Sequence, residues 1–145
     1  MTVVYIDSSV IVSIALGDPR GAQALAIVGS RDAYTSELAP VECQAALSSQ
    51  YASAAGGLTA AEQALNAVLG RLQMIQVTGA ILSQARTLVR RHRSGIGLRT
   101  LDAFHVATCA EVQAQLGMGT MEYVTADRRQ HNAFTAEGFA GVFLP

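Results

Sequence analysis

Four acidic residues of this 145-residue chain stand where a folded domain ordinarily places something else. Asp7 ends the apolar run Val3-Val4-Tyr5-Ile6, and Asp127 follows Tyr123-Val124-Thr125-Ala126. Glu42 shares a helical face with Leu38, Val41, Ala45 and Ala46. Asp102 opens the segment Leu101-Asp102-Ala103-Phe104-His105-Val106-Ala107-Thr108. Carboxylates in such settings are costly to bury unless positive charge balances them. The chain has no lysine, so the balance has to come from arginine or from a bound metal ion. Carboxylates about 4 Å apart repel by about 4 kcal/mol per pair at an effective dielectric of about 20. A cluster of them therefore protonates, opens or takes up cations. Hard divalent ions such as Mg²⁺ or Mn²⁺ suit all-oxygen ligands. Two of them about 3.5–4 Å apart can activate a water and stabilise the leaving oxygen in phosphodiester hydrolysis.

Each acid also has an ordinary explanation. Asp7 and Asp127 can cap helices, Asp102 suits the positive end of a helix dipole, and Glu42 can snorkel to solvent. What decides between the readings is whether the fold brings the four together.

Val3–Ile6 is β-branched and bounded by Asp-Ser-Ser, which predicts a short buried strand. Ser8 or Ser9 can cap a helix over Val10–Leu16, ended by Gly17-Asp18-Pro19, and Gly21–Val28 reads as an Ala-rich helix. Ala33–Thr35 is a short strand, and Ser36 offers a cap for a helix to about Ala52, with Pro40 near its first turn. Gly56-Gly57 reads as a break, and Thr59 with Glu62 as a capping box for the next helix. Strand Met74–Val77, helix Ile81–Arg93 and loop Ser94-Gly95-Ile96-Gly97 follow. Helix Thr100–Leu116, strand Glu122–Thr125, helix Arg128–Ala136 and strand Gly141–Leu144 finish the chain. Alternating strands and helices with short connections predict one α/β domain over residues 1–145, three-layered around a mainly parallel sheet. Ligands of such sheets bind beyond the carboxyl ends of the strands. Asp7 and Asp127 sit at two of those ends, and Glu42 and Asp102, in early helical turns, could point to the same place.

Composition removes competitors. Half the residues are hydrophobic and 14% charged, against disorder. No apolar run approaches the roughly 20 residues of a membrane span, and the first apolar stretch stops at Asp7 with no basic residues before it, unlike a signal peptide. Cys43 and Cys109 lack metal or disulfide spacing, so they read as reduced core residues and the location as cytoplasmic. Without lysine there is no Walker A loop, and aspartyl-phosphate chemistry lacks its usual partner. Ser8 and Ser9 lack a Gly-x-Ser-x-Gly elbow, and no zinc-like spacing of Cys or His exists. His105 shares the face of Asp102 and reads first as a buried, hydrogen-bonded histidine. Net charge is −1, yet between Glu62 and Asp102 there are six arginines and no acid. Arg86, Arg90 and Arg93 form one stripe at helical spacing. With Arg99, or with Arg128 and Arg129 beside Asp127, they could hold the phosphates of a polyanion. They could equally be a solvated helix end that complements the dipole.

At these residues the chain resembles PIN-domain nucleases, and among them the VapC-type toxins of bacterial toxin–antitoxin systems. Asp7-Ser8-Ser9 after the first strand resembles the family's opening motif, and Glu42 in Ser36-Glu37-Leu38-Ala39-Pro40-Val41-Glu42 its helix glutamate. Leu101–Thr108 resembles the third motif, and Thr125-Ala126-Asp127-Arg128-Arg129 the fourth; residues 51–72 carry no signature. The resemblance implies that Asp7, Glu42, Asp102 and Asp127 hold Mg²⁺ or Mn²⁺, with Ser9 and Thr125 in support. It implies an endoribonuclease that leaves a 5′-phosphate and a 3′-hydroxyl, and a homodimer held in check by an antitoxin. A PIN-like nuclease of RNA processing or of DNA is the alternative within enzymes; a binding module that kept its acidic pocket is the alternative outside them. The near-uniformly apolar helix Val10–Leu16 adds an expectation of its own: part of its surface should remain free for a partner.

Overall fold

The computed structural model describes residues 2–117 and 119–145. Among them, five strands and seven helices run in the order β1 (Val3–Ile6), α1 (Ser8–Leu16), α2 (Pro19–Val28), β2 (Ala33–Ser36), α3 (Ala39–Gln50), α4 (Ala55–Leu69), β3 (Gln73–Ile75), α5 (Gly79–Ile96), α6 (Thr100–Leu116), β4 (Met121–Thr125), α7 (Arg128–Ala136) and β5 (Gly141–Phe143). All strand pairings are parallel and the sheet order is β3-β2-β1-β4-β5. The expected α/β architecture is therefore present.

Strand side chains alternate between two cores. Tyr5 and Tyr123 point to the side covered by α5, α6 and α7, where they meet Ile81, Leu88, Val106 and Phe134. Val4, Ile6 and Val124 point to the other side, against Val10, Ile11, Cys43, Leu47 and Leu65 of α1, α3 and α4. Ile11, Leu47 and Phe134 are fully buried, a burial that stabilises by about 1.5–3 kcal/mol per side chain. After β1 the chain builds outward through β2 to β3, then returns to the other side of β1 with β4 and β5. The gap beyond the carboxyl ends of β1 and β4 is thus a topological switch point, the place where such sheets bind ligands. Ile6 pairs with Val124, so the residues that follow, Asp7 and Thr125, are neighbours there.

Several local expectations are corrected. Asp7, not Ser8 or Ser9, is the N-cap of α1, accepting from the Val10 amide. Helix α4 starts at Ala55 and runs through Gly56-Gly57, so neither a break nor the Thr59–Glu62 capping box exists. Glu62 instead accepts from Gln44 of α3 at 2.8 Å. Gly57 serves packing: a Cβ there would lie 2.7 Å from the Tyr51 ring. Helix α5 continues through the expected loop to Ile96 and ends at Gly97, whose φ of 65° suits glycine. On α3 the buried stripe is Ala39, Cys43 and Leu47, while Val41 is 72% exposed. Glu42 therefore lies at the edge of the buried face, not within an apolar one.

The expectation of free surface on the first helix holds only in part: Val12, Ile14 and Leu16 are half-buried, and Val12 and Leu16 line an open cleft of about 250 Å³ with Glu42 and Ala46 of α3. Helices α2, α3 and α4 all pack on α1, and no residue from Ser8 to Leu16 is exposed. No single helix among the described residues is long and apolar enough to cross a membrane.

Candidate functional site

Asp7 is buried at the head of β1, and both its oxygens are engaged. Oδ1 accepts from the Ser9 hydroxyl at 2.6 Å and the Val10 amide at 3.2 Å, and Oδ2 accepts from the Thr125 hydroxyl. The Ser9 oxygen in turn accepts from the Ala126 amide at 3.0 Å, and that of Thr125 from the Asp127 amide at 3.1 Å. Ser9 and Thr125 therefore tie Asp7 to the turn that carries Asp127. Asp127 caps α7 through Oδ1, which accepts from the amides of Arg129 and Gln130.

Asp102, also buried, is the third residue of α6, and its Oδ2 accepts from the Arg99 amide in a capping arrangement. The Arg99 side chain folds back over it: Nε lies 3.1 Å from Oδ2 and Nη2 3.3 Å from Oδ1. The same Nη2 lies 3.2 Å from Asp127 Oδ2. One guanidinium thus bridges two acids. Glu42 accepts from the Ser8 hydroxyl at 3.1 Å, and its other oxygen lies 2.7 Å from His105 Nε2. Gln130, buried, donates from Nε2 to the Asp102 carbonyl at 3.1 Å.

These groups line one cleft of about 540 Å³: Asp7, Ser9, Glu42, Asp102, Asp127, His105 and Gln130, with Arg93 and Arg99 at its rim. All four acids face it, while Thr125 stands just beneath through Asp7. Of the expected phosphate-binding arginines, Arg93 and Arg99 belong to the cleft, and Arg86, Arg90, Arg128 and Arg129 do not line it. Arg86 and Arg90 are exposed further up α5, and Arg128 lies over the Phe143 ring at 4.3 Å. The ordinary and the chemical readings of Asp7, Asp102 and Asp127 turn out to be compatible, since each acid caps or starts a helix and faces the cleft. Arginine does supply balancing charge, as expected. His105 adds a hydrogen-bond partner for Glu42, which the sequence did not disclose beyond placing His105 one turn after Asp102. Nothing in the sequence marks Gln130.

Burial pushes the Asp7 carboxyl above the usual carboxylate range, against the opposing pull of His105 and of the Ser9 and Thr125 hydroxyls. Burial pushes His105 down, but the Glu42 hydrogen bond and the charges of Glu42, Asp7 and Asp102 outweigh it and lift the group above its ordinary value. Both shifts have the same consequence for stability. A group that holds its proton more tightly when folded stabilises the fold while protonated, and loses that contribution as pH rises through its folded pKa. For Asp7 the contribution is complete below about pH 3.9, and for His105 below about pH 6.5. The metal-free protein should therefore melt at lower temperature at about pH 9 than at about pH 6.5. A melting curve series in EDTA checks this, and a midpoint that rises across that interval would contradict it.

The donor set is one of hard carboxylate and hydroxyl oxygens, the chemistry that Mg²⁺ and Mn²⁺ prefer. As arranged, no three described His, Cys, Asp or Glu side chains converge as a ready ligand set. The Arg99 guanidinium occupies the place of a cation between Asp102 and Asp127. Its side chain is 56% exposed, and ion pairs that open to solvent are typically worth less than about 1 kcal/mol. A divalent ion can displace such a partner, so the residues fit one.

A sequence model of the PIN domain family matches residues 4–134. No curated protein matches the chain. Among solved structures, the sarcin–ricin-loop-cleaving toxin VapC20 of Mycobacterium tuberculosis superposes with a TM-score of 0.69 at 22% identity, covering 96% of this chain and 98% of that one. A chain of VapBC2 from Rickettsia felis, solved bound to a DNA fragment from its promoter, gives 0.68 at 13% identity, covering 99% and 100%. PAE2754 of Pyrobaculum aerophilum gives 0.66 at 18% identity, covering 97% and 90%. At these identities the likeness is one of fold.

Proposed function

The chain belongs to the PIN domain family of nucleases, and from that premise we propose that it is a Mg²⁺- or Mn²⁺-dependent endoribonuclease, the toxin of a toxin–antitoxin pair. The observation that carries the reading is the convergence of Asp7, Glu42, Asp102 and Asp127 on one cleft beyond β1 and β4. A divalent ion bound there, held by those four acids, supplies Lewis-acid charge and lowers the pKa of a water. The chain's own residues do the rest. Ser9 and Thr125 fix the Asp7 carboxylate, and Gln130 fixes the first turn of α6 beside Asp102. Arg99 is half in solvent and, once a cation takes its acids, is free to hold a phosphate of the substrate strand.

Cleavage of labelled RNA with Mg²⁺, with Mn²⁺ and with EDTA tests the activity, with single-stranded DNA as the competing substrate. The expected result is RNA cleavage that chelation abolishes; activity that survives EDTA contradicts the reading. Partners are argued from the fold's company: one of the structures the chain resembles is a VapBC assembly and another is a toxin that cuts the sarcin–ricin loop. We expect a homodimer, located in the cytoplasm, whose activity falls when the product of an adjacent small reading frame is added. Light scattering followed by that titration distinguishes a toxin from a PIN-like nuclease of RNA processing, which would ignore the product.

The arginines give a graded expectation. Arg93 and Arg99 reach the cleft, whereas Arg86, Arg90 and Arg128 stand outside it and can only follow the strand as it leaves. Replacing an outer arginine, as in Arg90→Ala or Arg128→Ala, should weaken RNA binding uniformly across sequences and flatten its salt dependence by about one charge each. Unchanged affinity and slope in both variants would reduce these residues to surface charges.

A further inference from the structure

Helices α3 and α6 pack on opposite faces of the sheet, α3 with β1 residues Val4 and Ile6 and α6 with Tyr5. His105 crosses between them. It lies fully buried one turn beyond Asp102, and its Nε2 meets Glu42 Oε1 at 2.7 Å beyond the strand ends. A carboxylate only accepts, so Nε2 carries the proton of that bond. On the other side of the ring, Nδ1 lies 2.8 Å from the hydroxyl of Tyr5, itself fully buried on β1 two residues before Asp7. The Tyr5 and imidazole rings meet edge-on with centroids 6.0 Å apart. The imidazole is therefore held at both nitrogens and cannot turn without leaving a buried polar atom unpaired, which is costly.

Glu42 needs such help more than the other acids do. Asp7, Asp102 and Asp127 are each fixed by backbone amides at a helix start. Glu42 lies in the first turn of α3 but on a longer side chain, and among the described residues Ser8 and His105 hold its carboxylate. We propose that His105, oriented by Tyr5, is a positioning residue that sets the carboxylate of Glu42 against Asp7 and Asp102 for cation binding. The inference rests on the metal-dependent reading of the cleft. Hydrogen-bond partners of ligating carboxylates typically matter by about 10–100-fold in metal affinity.

The test is the binding of Mn²⁺ alone, followed by electron paramagnetic resonance, to the full chain and four variants whose folding is checked by circular dichroism. Glutamine places an amide nitrogen close to where histidine has Nε2, whereas asparagine can reach only the Nδ1 position. His105→Gln should thus keep Mn²⁺ affinity within about threefold, while His105→Asn and His105→Phe should lose about 10–100-fold. Tyr5→Phe should fall between, because the ring keeps Glu42 but loses its anchor. Folded His105→Phe that binds Mn²⁺ as the wild type does would overturn the inference. If His105→Phe fails to fold, equal affinities for the asparagine and glutamine variants would overturn it instead. Wild-type protein that binds no Mn²⁺ at all would remove the metal-dependent reading and this inference together, so the two failures are told apart.

Discussion

Asp7→Asn and Asp102→Asn should each abolish RNA cleavage, by about 10³-fold or more, while the protein stays folded. A loss of that size corresponds to about 4 kcal/mol of transition-state stabilisation, the order expected when a ligand of the reacting centre is removed. Folding should survive because each change conserves shape and keeps an acceptor oxygen. In Asp7→Asn that oxygen still accepts from Ser9 and the Val10 amide, and the Thr125 hydroxyl can reverse its role toward the new amide. Burial disfavours the Asp7 charge in the first place, so the metal-free variant should melt no lower than the wild type at neutral pH. Asp102→Asn, with its oxygen at the Oδ2 position, keeps the Arg99 amide and Nε and forfeits the Nη2 contact, to a half-exposed partner whose loss costs less than about 1 kcal/mol. Cleavage rates and melting temperatures should therefore move independently. A wild-type rate in either variant would detach that acid from the chemistry, and parallel loss of rate and stability would mean a merely structural role.

Much of this was legible because parallel α/β folds write themselves locally. Short β-branched runs such as Val3–Ile6 alternate with helices, and α6 and α7 appear with the expected limits. The acids were conspicuous because the mainly apolar runs Val3–Ile6 and Tyr123–Ala126 end at Asp7 and Asp127, where polar or charged residues follow. What failed depended on neighbours distant in sequence. Thr59 and Glu62 have the spacing of a capping box, but the start of α4 is set at Ala54, whose amide bonds to Tyr51, and Glu62 is held by Gln44. Ser94–Gly97 looks like a loop by composition, yet α5 is carried to Ile96, which packs into the core. Glu42 seemed stranded on an apolar face only because small alanines were counted as core; Ala45 and Ala46 are exposed.

The site itself was legible as a set of acids and not as a set of contacts. Sequence spacing cannot disclose that Arg99, an expected phosphate ligand, spends its guanidinium on Asp102 and Asp127. Nor can it pair His105 with Glu42, 63 residues away. Both pairings are solutions to the same electrostatic problem: carboxylates gathered in one cleft need partners that offset their mutual repulsion. That the partners are a half-exposed arginine and a buried histidine suggests different permanence. The first is easily displaced, and the second is built into the packing of α6 against Tyr5 of the sheet.

Gly21→Ala should be the most destabilising single-methyl change in the chain's first half. α2 crosses α1 so closely that a Cβ at position 21 would lie 2.4 Å from the Ser13 carbonyl oxygen, 2.6 Å from its carbon and 2.8 Å from Ile14 Cα. All three are backbone atoms, so no side chain can swing aside, and the helices have to separate. Overpacking of this kind costs about 1–3 kcal/mol, which for a domain of this size lowers the melting temperature by about 3–12 °C. The effect should reach the site, because the helix pushed aside is the one that Asp7 caps and that carries Ser9. Gly95→Ala is the matching control. Position 95 lies in the last turn of α5 with open space around it and no left-handed backbone. There the added methyl should stabilise by about 0.5–1 kcal/mol through chain entropy alone. Thermal melts of the two variants, with cleavage rates measured well below both midpoints, separate the contributions. A Gly21→Ala protein as stable and as active as the wild type would show that α1 and α2 do not approach this closely. The close packing of α2 on α1 would then fail, and more of the apolar surface of α1 would be open to a partner.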